Sequence, residues 1–184
     1  MVDYLNKING LNKKPIYKIS VPEKFINEAI RLIPDDKYIG FSITAGNPYR
    51  IKSFDVDEII KVANYFSIKF TPTFFIEKKY QKLINYLKSN IKNCYIPEEK
   101  ALIELQKPML VTALGARTSF NISIDNGISH MLSFSQNKNF LFFNKYSEKW
   151  KPENNHSYIY DCKKNNITID KITSNEIINF IERN

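Results

Sequence analysis

Cysteine, histidine, glycine and arginine are all scarce in this chain of 184 residues, and each shortage excludes something. The two cysteines, Cys94 and Cys162, lie far apart with no further Cys or His at zinc-ligand spacing. That rules against a disulfide scaffold or zinc module and predicts two reduced, mostly buried thiols. His130 and His156 have no co-ligands at metal-binding spacing, so no metal site is expected. With five glycines, no G-x-G-x-x-G follows the first strand-like run, which counts against a nucleotide-dependent oxidoreductase. Only four arginines accompany 23 lysines, which are spread along the chain. The net charge of +8 therefore lacks the clustered Arg, Lys and aromatic pattern of a nucleic-acid binder. A local basic pocket for phosphates stays compatible with it. No apolar run approaches the roughly 20 residues of a membrane span. The opening "MVDYLNKINGLNKKP" has no apolar stretch behind its charges, as a secretory signal would. The expectation is a cytoplasmic protein with at most peripheral membrane association and no nucleic-acid partner.

What the chain does have, from residue 37 on, is alternation. "YIGFSI" (38–43), "TPTFFI" (71–76), "NCYI" (93–96), "NISID" (121–125), "NFLFF" (139–143) and "SYIYD" (157–161) read as short strands. Between them, apolar residues recur at helical spacing in 55–66, 77–91, 97–105, 108–119 and 127–136, and a last helix spans 174–183 with Ser174 as N-cap. Strands alternating with helices predict βαβ units: an α/β fold with a single Rossmann-like, doubly wound parallel sheet and helices on both faces. Residues 1–36 stand outside the alternation and read as a tail or linker with one helix at 21–33. The domain proper is residues 37–184.

In such sheets ligands bind beyond the carboxyl ends of the strands. Two loops there hold chemistry. "TAGNPYRIKSF" (44–54) joins the turn residues Gly46, Asn47 and Pro48 to the cations Arg50 and Lys52 ahead of a helix. It suits a phosphate, and equally a solvated turn. "SIDNGISHMLSFS" (123–135) places Asp125, Asn126 and Gly127 where a strand ends, with His130 following. Gly127 would let a ligand approach the backbone, whereas Asp125 repels phosphate and suits sugar hydroxyls. The alternative is an Asp N-cap with His130 facing the core.

Taken together, the order strand, "AGNPYRIKSF", helix, "ISIDNGISHMLSF", strand "NFLFF", "YSEKWKP" resembles the C-terminal half of family 9 glycosyltransferases, the heptosyltransferases of lipopolysaccharide synthesis and their relatives. The resemblance covers about residues 37–183, and its most specific element is Asp-x-Gly-x-x-His at 125–130. It implies one half of a GT-B enzyme, the half that binds a nucleotide-diphosphate sugar such as ADP-heptose. By position, Lys52 matches the residue on the donor diphosphate and Asp125 the acid on the donor sugar. Asn126, Gly127 and His130 match the turn and helix start that cradle the phosphates. Ser42 and Thr44 fall where the family lines its nucleotide pocket, and Arg50 lies in the basic loop. The chain departs from the pattern at Phe54-Asp55, where Trp-Pro is usual, and at "NKYSEKW" (144–150), where Gly-Pro-Thr is common.

The resemblance also implies what is missing. The family's acceptor site and catalytic base belong to an N-terminal domain for which residues 1–36 leave no room, so no catalytic residue is assigned. An inverting transferase domain, either the donor half of a split enzyme that needs a separate N-terminal-domain subunit or a fragment of a longer one, is the first expectation. A non-catalytic nucleotide-sugar-binding or regulatory module is the alternative. No cofactor is implied; the nucleotide sugar is the substrate. The cleft face carrying residues 44–54 and 125–130, with Tyr49, Phe54 and Met131 near it, is expected to be partly exposed and open to another chain, a second copy included.

Overall fold

Short β-branched and aromatic runs make the strands and the amphipathic stretches make the crossovers, in a computed structural model that describes residues 19–44, 53–144 and 156–184. The strands are β1 (Tyr38–Ser42), β2 (Thr71–Phe74), β3 (Phe120–Ile124), β4 (Lys138–Phe143) and β5 (Ser157–Asp161). They form one sheet in the order β2-β1-β3-β4-β5, with all pairs parallel. Parallel neighbours need crossover connections. The helices are α1 (Glu23–Leu32), α2 (Val56–Phe66), α3 (Gln81–Asn90), α4 (Pro97–Lys100), α5 (Pro108–Gly115), α6 (Gly127–Ser133) and α7 (Ser174–Glu182). The α/β, doubly wound parallel sheet expected from the sequence is the fold observed.

One face of the sheet is apolar. Ile39, Phe41, Phe74, Ile122, Phe140 and Phe142 pack there with Ile59 and Val62 of α2, Ile84 and Leu87 of α3, and Ile177 and Ile181 of α7. The other face presents Gly40, Ser42, Thr73, Asn121, Ser123 and Asn139, because successive strand residues alternate in direction. The named side chains of this polar face are buried. Here α5 and α6 lie close together: a Cβ on Gly115 would meet Leu132 at 2.7 Å. Phe25, Ala29 and Leu32 of α1 join Leu110, Ala113 and Leu114 of α5 in a second cluster. Glu28, only 4% exposed, fastens α1 in place. Its carboxylate accepts two bonds from Arg31, at 2.7 and 2.8 Å, and the Leu102 N–H at 2.8 Å. The Arg31 guanidinium holds this carboxyl below its ordinary value.

Several boundaries move, each for a local reason. The strand expected at 93–96 shrinks to a bridge between Tyr95 and Thr73, because Asn93 turns the chain with a φ of 59°. The helix expected over 97–105 breaks after Lys100, where Ala101 is extended, and resumes as a 3-10 turn at Ile103–Leu105. At the last helix Thr173, not Ser174, is the N-cap, in a capping box with Glu176. Burial pushes the Cys94 thiol up to about 11 and the Cys162 thiol up to about 12, which favours the protonated thiol over the nucleophilic thiolate at neutral pH.

Helix α7 is tied to α2 through Glu58. Its carboxylate accepts from the Lys61 ammonium at 2.5 Å and from the Ser174 N–H at 2.5 Å. These bonds, Lys61's first, lower its pKa from 4.5 to about 2. A carboxyl depressed in the folded state contributes stability that is present above pH 4.5 and is lost as pH falls through about 2. Glu58→Gln is expected to narrow its stability deficit against wild type across that window. Urea midpoints measured at several pH values check it; a deficit constant with pH would count against the assignment.

Candidate functional site

The topology places a crevice before any side chain is considered. From β1 the chain proceeds to α2, on the apolar face; from β3 it proceeds to α6, on the opposite face. Strands β1 and β3 are neighbours whose following helices lie on opposite faces of the sheet, the arrangement that in doubly wound sheets opens a crevice at the strands' carboxyl ends. This is the topological switch point where doubly wound sheets take their ligands.

Five of the candidate residues come together there. Ser42 ends β1 and is fully buried, and Thr44 follows it half-buried. Asp125 is the first residue past β3; its N–H donates to the Phe142 carbonyl at 3.2 Å and it is half-buried. Asn126 is the N-cap of α6. Its Oδ1 accepts the Ser129 N–H at 2.8 Å, while its Nδ2 donates to Ser42 Oγ at 2.9 Å and to the Thr44 carbonyl at 3.0 Å. Gly127 is exposed, and a Cβ built on it meets nothing within 4 Å, so the space above its backbone is open. His130 sits one turn further along α6, half-buried. Arg50 and Lys52, with Tyr49, lie outside the described residues.

One alternative reading falls and one expectation changes. The cap of α6 is Asn126 and not Asp125, so the acid stands in front of the helix rather than closing it. Phe54 is not exposed on the cleft: it is 4% exposed, and its ring meets Phe142 edge-on at 5.2 Å. An aromatic residue just ahead of α2 finds more contact area against the apolar face of β4 than at the rim. Met131 is half-buried.

One participant escapes the sequence reading. Ser129 is buried, and its hydroxyl donates to the Asn126 carbonyl at 2.7 Å and accepts the Asn126 N–H at 3.4 Å. The signal for it was present, since Asn-x-x-Ser before an apolar run has the spacing of a reciprocal cap. Further along the same edge of the sheet, past β4 and β5, Asn144, Lys163, Asn166, Ile167, Thr168 and Lys171 line an open cavity of about 550 Å³.

No protein-family model matches the chain, and no curated protein does. Solved structures do. A family 9 glycosyl transferase from Veillonella parvula superposes with a TM-score of 0.77 at 15% identity, over 98% of this chain and 58% of its own. E. coli ADP-heptose lps heptosyltransferase II gives 0.70 at 13%, over 90% of this chain and 52% of its own. E. coli heptosyltransferase WaaC, solved with ADP-2-deoxy-2-fluoro heptose, gives 0.66 at 15%, over 98% and 53%. The chain thus spans about half the length of these structures, and over that span it has their fold.

Proposed function

We propose that this chain is the donor-binding half of a heptosyltransferase-like glycosyltransferase, holding a nucleotide-diphosphate sugar at the β1/β3 crevice. The observation that carries the reading is the meeting of Ser42, Thr44, Asp125, Asn126 and Gly127 at that switch point, in a fold like that of WaaC, which was solved with a fluorinated ADP-heptose. In this reading the diphosphate lies over Gly127 and takes Lys52 and Arg50 as counter-charges. The Asp125 carboxylate, standing just ahead of the Asn126 cap, accepts hydrogen bonds from sugar hydroxyls. His130, in the same helix, is assigned a hydrogen bond donated to the phosphate end.

Inverting transfer needs a base for the acceptor hydroxyl, charge stabilisation for the departing diphosphate, and a sugar held for in-line attack. The residues of the crevice serve the second and third needs. The base and the acceptor site are assigned to a partner with the N-terminal fold of such enzymes, as a separate chain or as further sequence. Alone, the chain binds donor without efficient transfer.

Calorimetric titration with ADP, UDP and ADP-heptose tests this. Lys52→Ala is expected to weaken nucleotide and nucleotide sugar alike, and Asp125→Ala only the latter. Gly127→Ala is the sharper variant. Its new methyl meets no protein atom, so stability should hold or rise by about 0.4–1 kcal/mol. Donor affinity should fall roughly tenfold, because the methyl occupies the ligand's approach. No binding by the wild type at millimolar concentration would overturn the proposal.

A further inference from the structure

We infer that Asn126 is a positioning residue: it fixes the width of the donor crevice by clasping the exit of β1 to the start of α6. The inference rests on the donor-binding reading above and changes the role that the family resemblance suggested for this residue, contact with phosphates.

A side-chain amide has two N–H donors and one carbonyl acceptor. In Asn126 the carbonyl is taken by the Ser129 N–H, and Nδ2 is bonded to both Ser42 Oγ and the Thr44 carbonyl. The cap decides which way the amide faces, and that orientation aims Nδ2 at β1. With its donors spent on protein, the side chain has none left for a ligand. The ladder between β1 and β3 ends at Ser42 opposite Ser123. Beyond that point the Asn126 amide continues the connection across the opening, from a residue 84 positions away in sequence to Ser42 and 82 away to Thr44.

The consequence is mechanical. Thr44 leads into the basic loop, and Asp125 and Gly127 flank Asn126. The clasp holds the part of the site assigned to phosphate in register with the part assigned to sugar. A crevice held before the ligand arrives spares the cost of aligning the exit of β1 with the start of α6 on binding.

Asn126→Ser separates the clasp from the cap. Serine is as good an N-cap as asparagine, adds no charge, and is too short to reach Ser42 and Thr44 from the same position. The experiment measures ADP and ADP-heptose affinity and thermal unfolding for wild type, Asn126→Ser, Ser42→Ala and the double variant. Asn126→Ser is expected to lose about tenfold in ADP-heptose affinity at a temperature where it is fully folded. Ser42→Ala is expected to cost less in the Asn126→Ser background than in wild type, since both act through one bond. A purely structural role would move the unfolding temperature and leave affinity alone. Asn126→Ser binding within twofold of wild type or tighter, or strictly additive effects, overturns the clasp while leaving the donor-binding reading intact. A wild type that binds neither ligand overturns both.

Discussion

Replacing Phe142 by alanine is expected to cost about 3–5 kcal/mol of folding stability, the range for emptying a fully buried aromatic site. Phe142 is fully buried near the end of β4. Its ring meets Phe54 at 5.2 Å, Tyr160 at 5.4 Å and Phe180 at 5.5 Å, and so joins the residue ahead of α2, strand β5 and helix α7. These neighbours come from three separate stretches of chain, which would have to close together again around the cavity. Such sites collapse poorly, which puts the cost toward the upper part of the range. The Phe142 carbonyl that accepts the Asp125 N–H is backbone and stays in the alanine variant, so the loss is one of packing. A urea titration at neutral pH reads it as a lower midpoint with an unchanged slope. A loss under about 1 kcal/mol would show that the aromatic cluster does not organise this end of the sheet.

Gly40→Ala is expected to destabilise by about 1–3 kcal/mol although it adds one methyl group. The new Cβ would stand 2.1 Å from Asn121 Oδ1 and 2.7 Å from Phe75 Cε2. Asn121 cannot simply swing away, because the same Oδ1 accepts the Thr118 hydroxyl at 2.9 Å in a buried site. Either the strands part or that bond is lost, and a displaced Asn121 would leave buried polar groups unpaired. The Gly127→Ala variant is the internal control: identical chemistry, open space, and no expected loss of stability. If the two variants proved equally stable, the close packing on the polar face of the sheet would be wrong. Measured together, they separate a glycine kept for packing from one kept for a ligand.

The two glycines also show what kind of information each level holds. Read in sequence, Gly40 is one residue inside a strand and Gly127 one residue in a turn. The turn was recognisable because its chemistry is local: Asp125, Asn126 and Gly127 end an apolar alternation and precede a helical one. The demand for glycine at 40 was not, because it comes from Asn121, whose position opposite is set by the β1–β3 register.

The same division runs through the whole protein. By itself the sequence determined that strands alternate with helices, and hence that the sheet is parallel and covered on both faces. Hydrophobic period and end-capping act over a few residues, so they can be read from a few residues. Asp55 ahead of α2, accepting the Asp57 N–H at 2.8 Å, is one such local signal. Only the tertiary structure decided that β3 lies beside β1, that Asn126 rather than Asp125 caps α6, and that Phe54 turns inward to Phe142. Each of those outcomes depends on which surfaces meet across tens of residues. Strand neighbours are chosen by the joint packing of two helical layers, and an amide such as Asn126 takes its partners from whatever that packing brings within 3 Å. The crevice is a property of that packing, not of any single motif.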